Sequence, residues 1–364
     1  MAEEARHRVD RAGGASPLFV VDALGAMRVE FPPYYYTGGA RPPKNKIETS
    51  MEIYYKYAKF RSIEELLSAT VKLSPPQTLN DPFESILNQE VEDNLLKTLS
   101  LADVDIEVDN DNDIDEGLRK NVILKRVYDG LNDYAVFSLS ETPRNLLMWA
   151  HYADEHKGVC IGYKKDIFES IDNKPETDLG IESYTPIKVN YDNLRPQVLS
   201  NQPSREERKK ITFNQLITKS DDWMYEKEHR CIIPMNWADK VKIKDTGKTI
   251  AGFSLPYLLT NLISSKKIEQ KGDIYTGGIG TRGMSILVHL LGNDRNAIFL
   301  KHINPKSIVS IYFGCRFDQG IKKEILSTLS DPSHPLHHVK TCQYVLSSNR
   351  FEIVPQTNKD NPRP

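Results

Sequence analysis

From Met51 onward, strand and helix signals follow one another without a regular βαβ beat, which argues against a doubly wound parallel sheet. Ile53-Tyr54-Tyr55-Lys56-Tyr57 alternates as a strand, and Ser62-Ile63-Glu64-Glu65 is a capping box opening a short helix. Thr70 to Leu73 predicts a second strand that stops at Ser74-Pro75-Pro76. Helices are predicted over 90–101 and 116–132. The run Ala135-Val136-Phe137-Ser138-Leu139-Ser140 then puts Val136, Ser138 and Ser140 on one strand face and Phe137 and Leu139 on the other. Thr142-Pro143 reads as an N-cap with Pro at the first helical position, for a helix running to Glu155 with Gly158 at its stop. Further strands are predicted over 159–163, 187–191, 229–233, 307–313, 341–346 and 351–354, and helices over 204–218, 256–264, 285–292 and 319–329. The expected class is α+β: a mixed, mainly antiparallel sheet with helices packed around it.

Residues 1–50 have a different texture, with Pro, Gly and Tyr too frequent for regular elements. They read as an irregular extension with one strand at Leu18–Val21. Residues 51–355 read as one domain: a motif-bearing core over 51–235, a variable insertion over about 240–305 and a closing α/β segment over 306–355. Residues 356–364 read as a disordered tail.

The 364 residues carry 48 basic and 50 acidic side chains, a net charge of −2, so nonspecific nucleic-acid binding is not expected. No apolar run reaches the roughly 18 residues of a spanning helix, and no signal peptide is legible, so the expectation is a cytoplasmic protein without a membrane partner. Cys160, Cys231, Cys315 and Cys342 stand alone in apolar settings and read as reduced core thiols.

Three constellations can carry chemistry. Asn80-Asp81-Pro82-Phe83-Glu84 is either a structural turn anchored by Phe83 or a rigid loop presenting Asn80, Asp81 and Glu84 to a cleft. Leu147 to Asp154 is an aromatic helix, expected to be buried over most of its surface. Its His151 is either a satisfied core histidine or a catalytic group. His151 and His156 are five apart, which is not a helical zinc spacing, so no metal is expected. In Trp223-Met224-Tyr225-Glu226-Lys227-Glu228-His229-Arg230, an extended chain would align Glu226, Glu228 and Arg230 on one face. That stripe is either an ion-paired sheet face or a carboxylate held by Arg230 for catalysis or for a ribose hydroxyl, beside rings suited to a flat heterocycle. Two weaker patterns are an EF-hand-like acid spacing over Asp105 to Glu116, read as a solvated acidic loop, and a literal G-x-G-x-x-G over Gly278 to Gly283, read as a loop.

The ordered motifs YKY (55–57), NDPFE (80–84), FSLSE (137–141), LMWAHYADEHKGVCIGY (147–163), VNY (189–191) and KSDDWMYEKEHR (219–230) resemble the bacterial family catalogued as domain of unknown function 2971. Glu226-Lys227-Glu228 is also similar to the E-x-E motif of ADP-ribosyltransferases, whose fold the sheet would then share. That resemblance implies an NAD-using transferase or glycohydrolase, with NAD as co-substrate and a macromolecular acceptor. Glu228 would hold the nicotinamide ribose, Glu226 would activate the acceptor, and His151 joins them as a catalytic candidate. Lys56 or Tyr57 would stand for the family's first-strand residue, although Arg or His is usual there, and Ser74 or Ser138 for its Ser/Thr. Asn80, Asp81, Glu84, Trp149, Tyr152, Trp223, Tyr225 and Arg230 complete the expected ligand-contacting set for a nucleotide-type molecule. Two other functions fit the same residues: a non-catalytic nucleotide-sensing or protein-interaction module in bacterial stress or phage defence, and a nuclease whose Asp81, Glu84, Glu226 and Glu228 share Mg²⁺.

Overall fold

The computed structural model describes residues 18–21, 27–30, 52–101, 115–175, 177, 179–197, 203–250, 252–278 and 282–356. The chain divides into two units, Met1–Ser50 and Met51–Pro364. In the first, the predicted strand Leu18–Val21 pairs antiparallel with a second strand, Met27–Glu30. The remainder of that unit, most of the acidic loop before Glu116 and the tail after 356 lie outside the described residues.

The second unit is α+β and is built on two sheets. The larger has eight strands in the spatial order Ile353–Pro355, Lys340–Leu346, Ile308–Phe313, Val159–Lys164, Ile53–Ala58, Tyr134–Ser140, Glu228–Pro234, Ser183–Lys188. Only the contact between Ile308–Phe313 and Lys340–Leu346 is parallel. The smaller has five antiparallel strands in the order Ile268–Lys271, Ile274–Gly277, Lys240–Ile243, Ala297–His302, Thr70–Leu73. Four of those five come from residues 240–302, the stretch read from sequence as a variable insertion with little strand signal. Strands as short as the four residues Lys240-Val241-Lys242-Ile243 carry too few alternations to be recognised. The two sheets meet where Val136 N–H donates to the Ser74 carbonyl at 2.8 Å.

Strand alternation sorts the large sheet into two faces. Phe137, Leu139, Cys231 and Ile233 join Val71, Leu73, Val241 and Phe299 of the small sheet in the main core, together with the helices Leu255–Ser264 and Gly283–Leu291. The opposite face carries two smaller apolar clusters. One is built on Tyr57, Trp149, Cys160 and Tyr344, the other on Val136, Ile232, Leu131 and Leu216. The polar residues Ser138, Ser140, Glu228 and Arg230 belong to this same face by register, since Glu228 opposes Ser140 and Arg230 opposes Ser138.

Three local expectations change. The aromatic helix spans Leu146–Tyr152, and its cap is Asn145, whose Oδ1 accepts the Leu147 and Met148 amides at 3.0 and 3.2 Å. Thr142 is not the cap because its carbonyl is held by Tyr57 Oη at 2.7 Å, upstream of the helix. The helix stops at Tyr152 because Asp154, Glu155 and His156 take left-handed backbone angles, φ 49, 53 and 72°. Gly158 then passes so close to the Ile53–Ala58 strand that a Cβ would lie 2.3 Å from the Ala58 carbonyl. Of the cysteines, Cys160 and Cys231 are buried, whereas Cys315 and Cys342 are only half-buried; all four are free thiols.

Of the weaker patterns, Asp115 is the N-cap of the helix Glu116–Asn132, its Oδ1 accepting Leu118 N–H at 3.0 Å, and the rest of the acid spacing before it lies outside the described residues. The glycine pattern is flanked by the strand Ile274–Gly277 and the helix Gly283–Leu291. That strand sits in an antiparallel hairpin with Ile268–Lys271 and not in a parallel crossover unit; residues 279–281 are outside the described set. Among the described residues, no helix is long and apolar enough to cross a membrane.

Candidate functional site

The predicted extended stripe is real from Glu228 but does not include Glu226. Residues Asp221–Glu226 form a 3₁₀ turn capped by Ser220, and Lys227 is left-handed at φ 47°, so the strand begins at Glu228. Glu226 nevertheless returns to the stripe from the turn: Ser140 Oγ donates to its carbonyl at 2.7 Å, and its side chain is buried beside that of Glu228.

At the centre lies Lys219, a residue not singled out by its sequence pattern. Its ammonium is 2.8 Å from Glu226 Oε2, 3.4 Å from Glu228 Oε2 and 3.6 Å from Glu84 Oε1. Arg230 completes the cluster. Nε and Nη2 bind the two Glu228 oxygens at 2.8 and 2.9 Å, Nη2 also donates to Glu84 Oε1, and Nη1 donates to the Leu216 carbonyl at 2.7 Å. Five charged side chains from the NDPFE turn, the 218–226 segment and the Glu228–Pro234 strand are thus buried together. Each charge is stabilised only because its partners are in place.

Local chemistry explains how these segments meet. Asp81 Oδ1 caps the turn Pro82–Ser85 by accepting Phe83 N–H at 2.9 Å. Phe83 is not the expected anchor; its ring is 60% exposed. The turn is held instead by Gln215, whose amide donates to the carbonyls of Phe83, Glu84 and Ile86 at 2.8, 3.3 and 3.2 Å, and by Glu84 reaching inward to Arg230. Tyr191 Oη accepts Glu228 N–H at 2.7 Å and fixes the start of the strand.

The three carboxyls are not equivalent. Burial pushes Glu228 up, but the Arg230 guanidinium and then the Lys219 ammonium outweigh it and hold the group down to about 2. For Glu84 burial prevails over Arg230 and Lys219, and for Glu226 burial prevails over Lys219 and the Tyr152 hydrogen bond, so both carboxyls are raised above their ordinary value. Lys219 is raised: burial works against its charge, and Glu228, Glu84 and Glu226 together overcome that.

A hydrogen-bonded path leads outward from Glu226. Tyr152 Oη donates to Glu226 Oε1 and accepts from Asn80 Nδ2 at 2.5 Å, and Asn80 is exposed. Around this outlet stand partly exposed rings: His151 lies 6.1 Å from Tyr225, Tyr225 lies 6.1 Å from Trp223, and Trp223 carries the Lys219 ammonium 4.5 Å above its ring. His151 is exposed and not a core histidine, and Leu146 and Leu147 are also open, so the aromatic helix buries one side only.

Other expected residues lie apart from the outlet. Trp149 is completely buried with its indole N–H on the Pro143 carbonyl at 2.8 Å, and Tyr57 packs edge-on against it, so neither ring is open to a ligand. Ser74 serves the junction of the sheets. Lys56 turns onto the Phe137 ring, 4.5 Å away, and donates to the Ser138 carbonyl at 2.9 Å; burial lowers its ammonium to about 8. Ser138 supports Glu228 by a side-chain hydrogen bond.

The aromatic helix, the NDPFE turn and the Glu228–Pro234 strand meet at this cluster, and the family comparison covers the first and the last of them. Residues 148–231 match the model of a protein family of unknown function, DUF2971. The DUF2971 segment contains Tyr152, Lys219, Glu226, Glu228 and Arg230, while Asn80 and Glu84 reach the cluster from outside it. No curated protein and no solved structure matches the chain.

Lys219 was legible only as the first letter of the KSDDW motif. A physical signal was present, since two carboxylates buried with one guanidinium leave a negative charge that a second cation or a bound proton has to balance. Gln215 gave no signal, because its partners are backbone carbonyls about 130 positions away in sequence.

Proposed function

We propose that the protein binds a nucleotide-type ligand on the ring-lined outlet formed by His151, Tyr152, Trp223 and Tyr225, and acts there as an NAD-using transferase or glycohydrolase with Glu226 as the proton acceptor. The observation that carries this reading is the path Asn80–Tyr152–Glu226–Lys219, which joins an exposed surface to a buried carboxyl of raised proton affinity. A carboxyl tuned upward by burial in this way is a stronger proton acceptor than an ordinary carboxylate. The acceptor hydroxyl would give its proton to Tyr152 Oη while the Tyr152 proton passes to Glu226 Oε1. The acceptor oxygen bonds the ribose carbon as the nicotinamide leaves with the electrons of the glycosidic bond.

The roles differ from those the ADP-ribosyltransferase resemblance implied. Both Glu228 oxygens are engaged by Arg230 in the interior, so its part is to balance charge beneath the outlet and not to hold a ribose hydroxyl. The same geometry disfavours the nuclease reading, because the cation shared by Glu84, Glu226 and Glu228 is the Lys219 ammonium of the chain itself.

Incubation with NAD, following free nicotinamide and label transfer to macromolecules, tests the reading. Wild type is expected to turn over, and Glu226→Gln to lose about 10²-fold or more in rate. Neither product from wild type would overturn it. The full mutual engagement of Glu228, Arg230 and Lys219 favours a second reading, a nucleotide-sensing module without turnover. That reading expects saturable nucleotide binding and thermal stabilisation that Glu226→Gln leaves intact.

A further inference from the structure

The five-stranded sheet has one face in the main core and one outside it. Val71, Val241, Tyr275 and Phe299 point into that core, where the helices Leu255–Ser264 and Gly283–Leu291 also pack. Strand alternation turns their neighbours to the opposite face, and the register sets these in two rows. Lys271, Ile274, Lys242 and Ile298 form one row, and Lys240, Leu300 and Lys72 belong to the next. Lys244 extends the line, because its N–H still pairs with the Asn296 carbonyl at 3.0 Å just beyond the strand Lys240–Ile243.

Five lysines thus share this face with two carboxylates. Asp273, in the turn, takes Lys242 at 3.2 Å, and Glu269 stands on the edge strand Ile268–Lys271. Among the described residues, Lys72, Lys240, Lys244 and Lys271 have no carboxylate within ion-pair distance. Lys72 is half-buried, and burial lowers its proton affinity; the like charges of Arg61 and Lys244 lower it further. The balance of 48 basic and 50 acidic side chains in the whole chain averages over this sidedness. The apolar residues of the face do not protrude: Ile298, directly opposite Lys242, is 7% exposed, and Leu300 is half-buried. By register, no Phe, Tyr or Trp of the described strands belongs to the face.

We propose that this lysine face binds the sugar-phosphate backbone of a nucleic-acid duplex without reading its sequence. Lysine ammoniums are point charges that make no demand on geometry, which suits a dense row of phosphates; specific carboxylates are met better by arginine forks. With about 7 Å between alternate residues of a strand and roughly 4.8 Å between strands, the lysines reach several phosphates at once. Without rings the face lacks the stacking platform that single strands use. A duplex also offers one charge per roughly 1.7 Å, against 3.4 Å for one strand. With no protruding apolar residue, the face has nothing to insert into a lipid surface. The site stands independently of glycosyl transfer at the outlet, since it requires neither NAD nor Tyr152.

Fluorescence anisotropy of a labelled mixed-sequence DNA duplex, titrated with the full chain between about 50 and 200 mM salt, tests the proposal. Binding is expected at the lower salt, with log K falling against log salt at a slope of about −3 to −4. Lys244→Gln combined with Lys271→Gln removes two exposed charges and strands no acid. That variant is expected to keep its thermal midpoint, to bind about tenfold more weakly and to lose about 2 from the slope. Lys323→Gln with Lys340→Gln makes the same charge change on exposed positions of the helix Gln319–Leu329 and the strand Lys340–Leu346, and is expected to stay within about twofold of wild type. No duplex binding at about 50 mM salt, a salt-independent affinity, or an equal effect of the two double variants would overturn the proposal. So would tighter binding of the single strand, or sedimentation with phosphatidylserine vesicles in the absence of duplex binding. Nicotinamide release, measured on the same variants, reports on the outlet separately.

Discussion

The two faces of the strand Glu228–Pro234 are equally buried and opposite in chemistry. Cys231 and Ile233 enter an apolar core that both sheets share, while Glu228 and Arg230 enter a nest of five charges. On the apolar face a truncation costs the lost burial and the cavity it leaves, without stranding a charge. On the charged face the stabilisation is conditional, because removal of one member leaves an uncompensated charge in the interior. Both faces lose stability when a single member is removed, but only on the ionic face does the loss leave a partner's charge unpaired, so that removing the partner as well recovers part of the cost.

The sharpest way to break this contrast is Arg230→Ala, expected to cost about 3–5 kcal/mol in denaturant unfolding because Glu228 and Glu84 lose their main partner. The paired replacement Glu228→Gln with Arg230→Met should cost less than Arg230→Ala alone; a larger cost would refute the conditional picture. On the apolar face, Leu139→Ala is expected to cost about 2–4 kcal/mol whatever the state of the ions. Tyr152→Phe should cost about 1 kcal/mol and leave Glu226 with one donor fewer. Phe83→Ala, exposed despite its place in the motif, should stay within about 0.5 kcal/mol.

The pH dependence divides the charged face further. Glu228, held at about 2 against an ordinary 4.5, adds stability that is present above 4.5 and lost as pH falls through about 2. Glu84 and Glu226, both raised from 4.5, add stability that is full below 4.5 and lost as pH rises through their folded values. Together these groups favour a maximum near 4.5. Glu226→Gln is expected to flatten the alkaline side of the curve while leaving the acid side in place, as measured by unfolding midpoints across pH.

How much of this was legible follows from the range of each interaction. The two faces of Tyr134–Ser140 were readable because a period of two separates Phe137 and Leu139 from Ser138 and Ser140 within a few residues. The same period placed Glu228 and Arg230 on one face of their strand, whereas Glu226 joins them from the 3₁₀ turn. The break between Glu226 and Glu228 was not readable, since an ordinary Lys227 adopts the left-handed geometry that sequence reading reserves for glycine. The cap at Asn145 was missed because Thr142-Pro143 satisfies the same local rule three residues earlier. Most of the five-stranded sheet escaped notice for a non-local reason: its strands are four to six residues long and acquire a buried face only when the large sheet covers them.

The bond between Val136 N–H and the Ser74 carbonyl also ties the register of one sheet to that of the other. Thr70–Leu73 alternates buried Val71 and Leu73 with half-buried Thr70 and Lys72. A slip of one residue at that junction would send Lys72 toward the shared core and Leu73 toward water. The inside and outside of Thr70–Leu73 are thus fixed by the same contact that joins the two sheets.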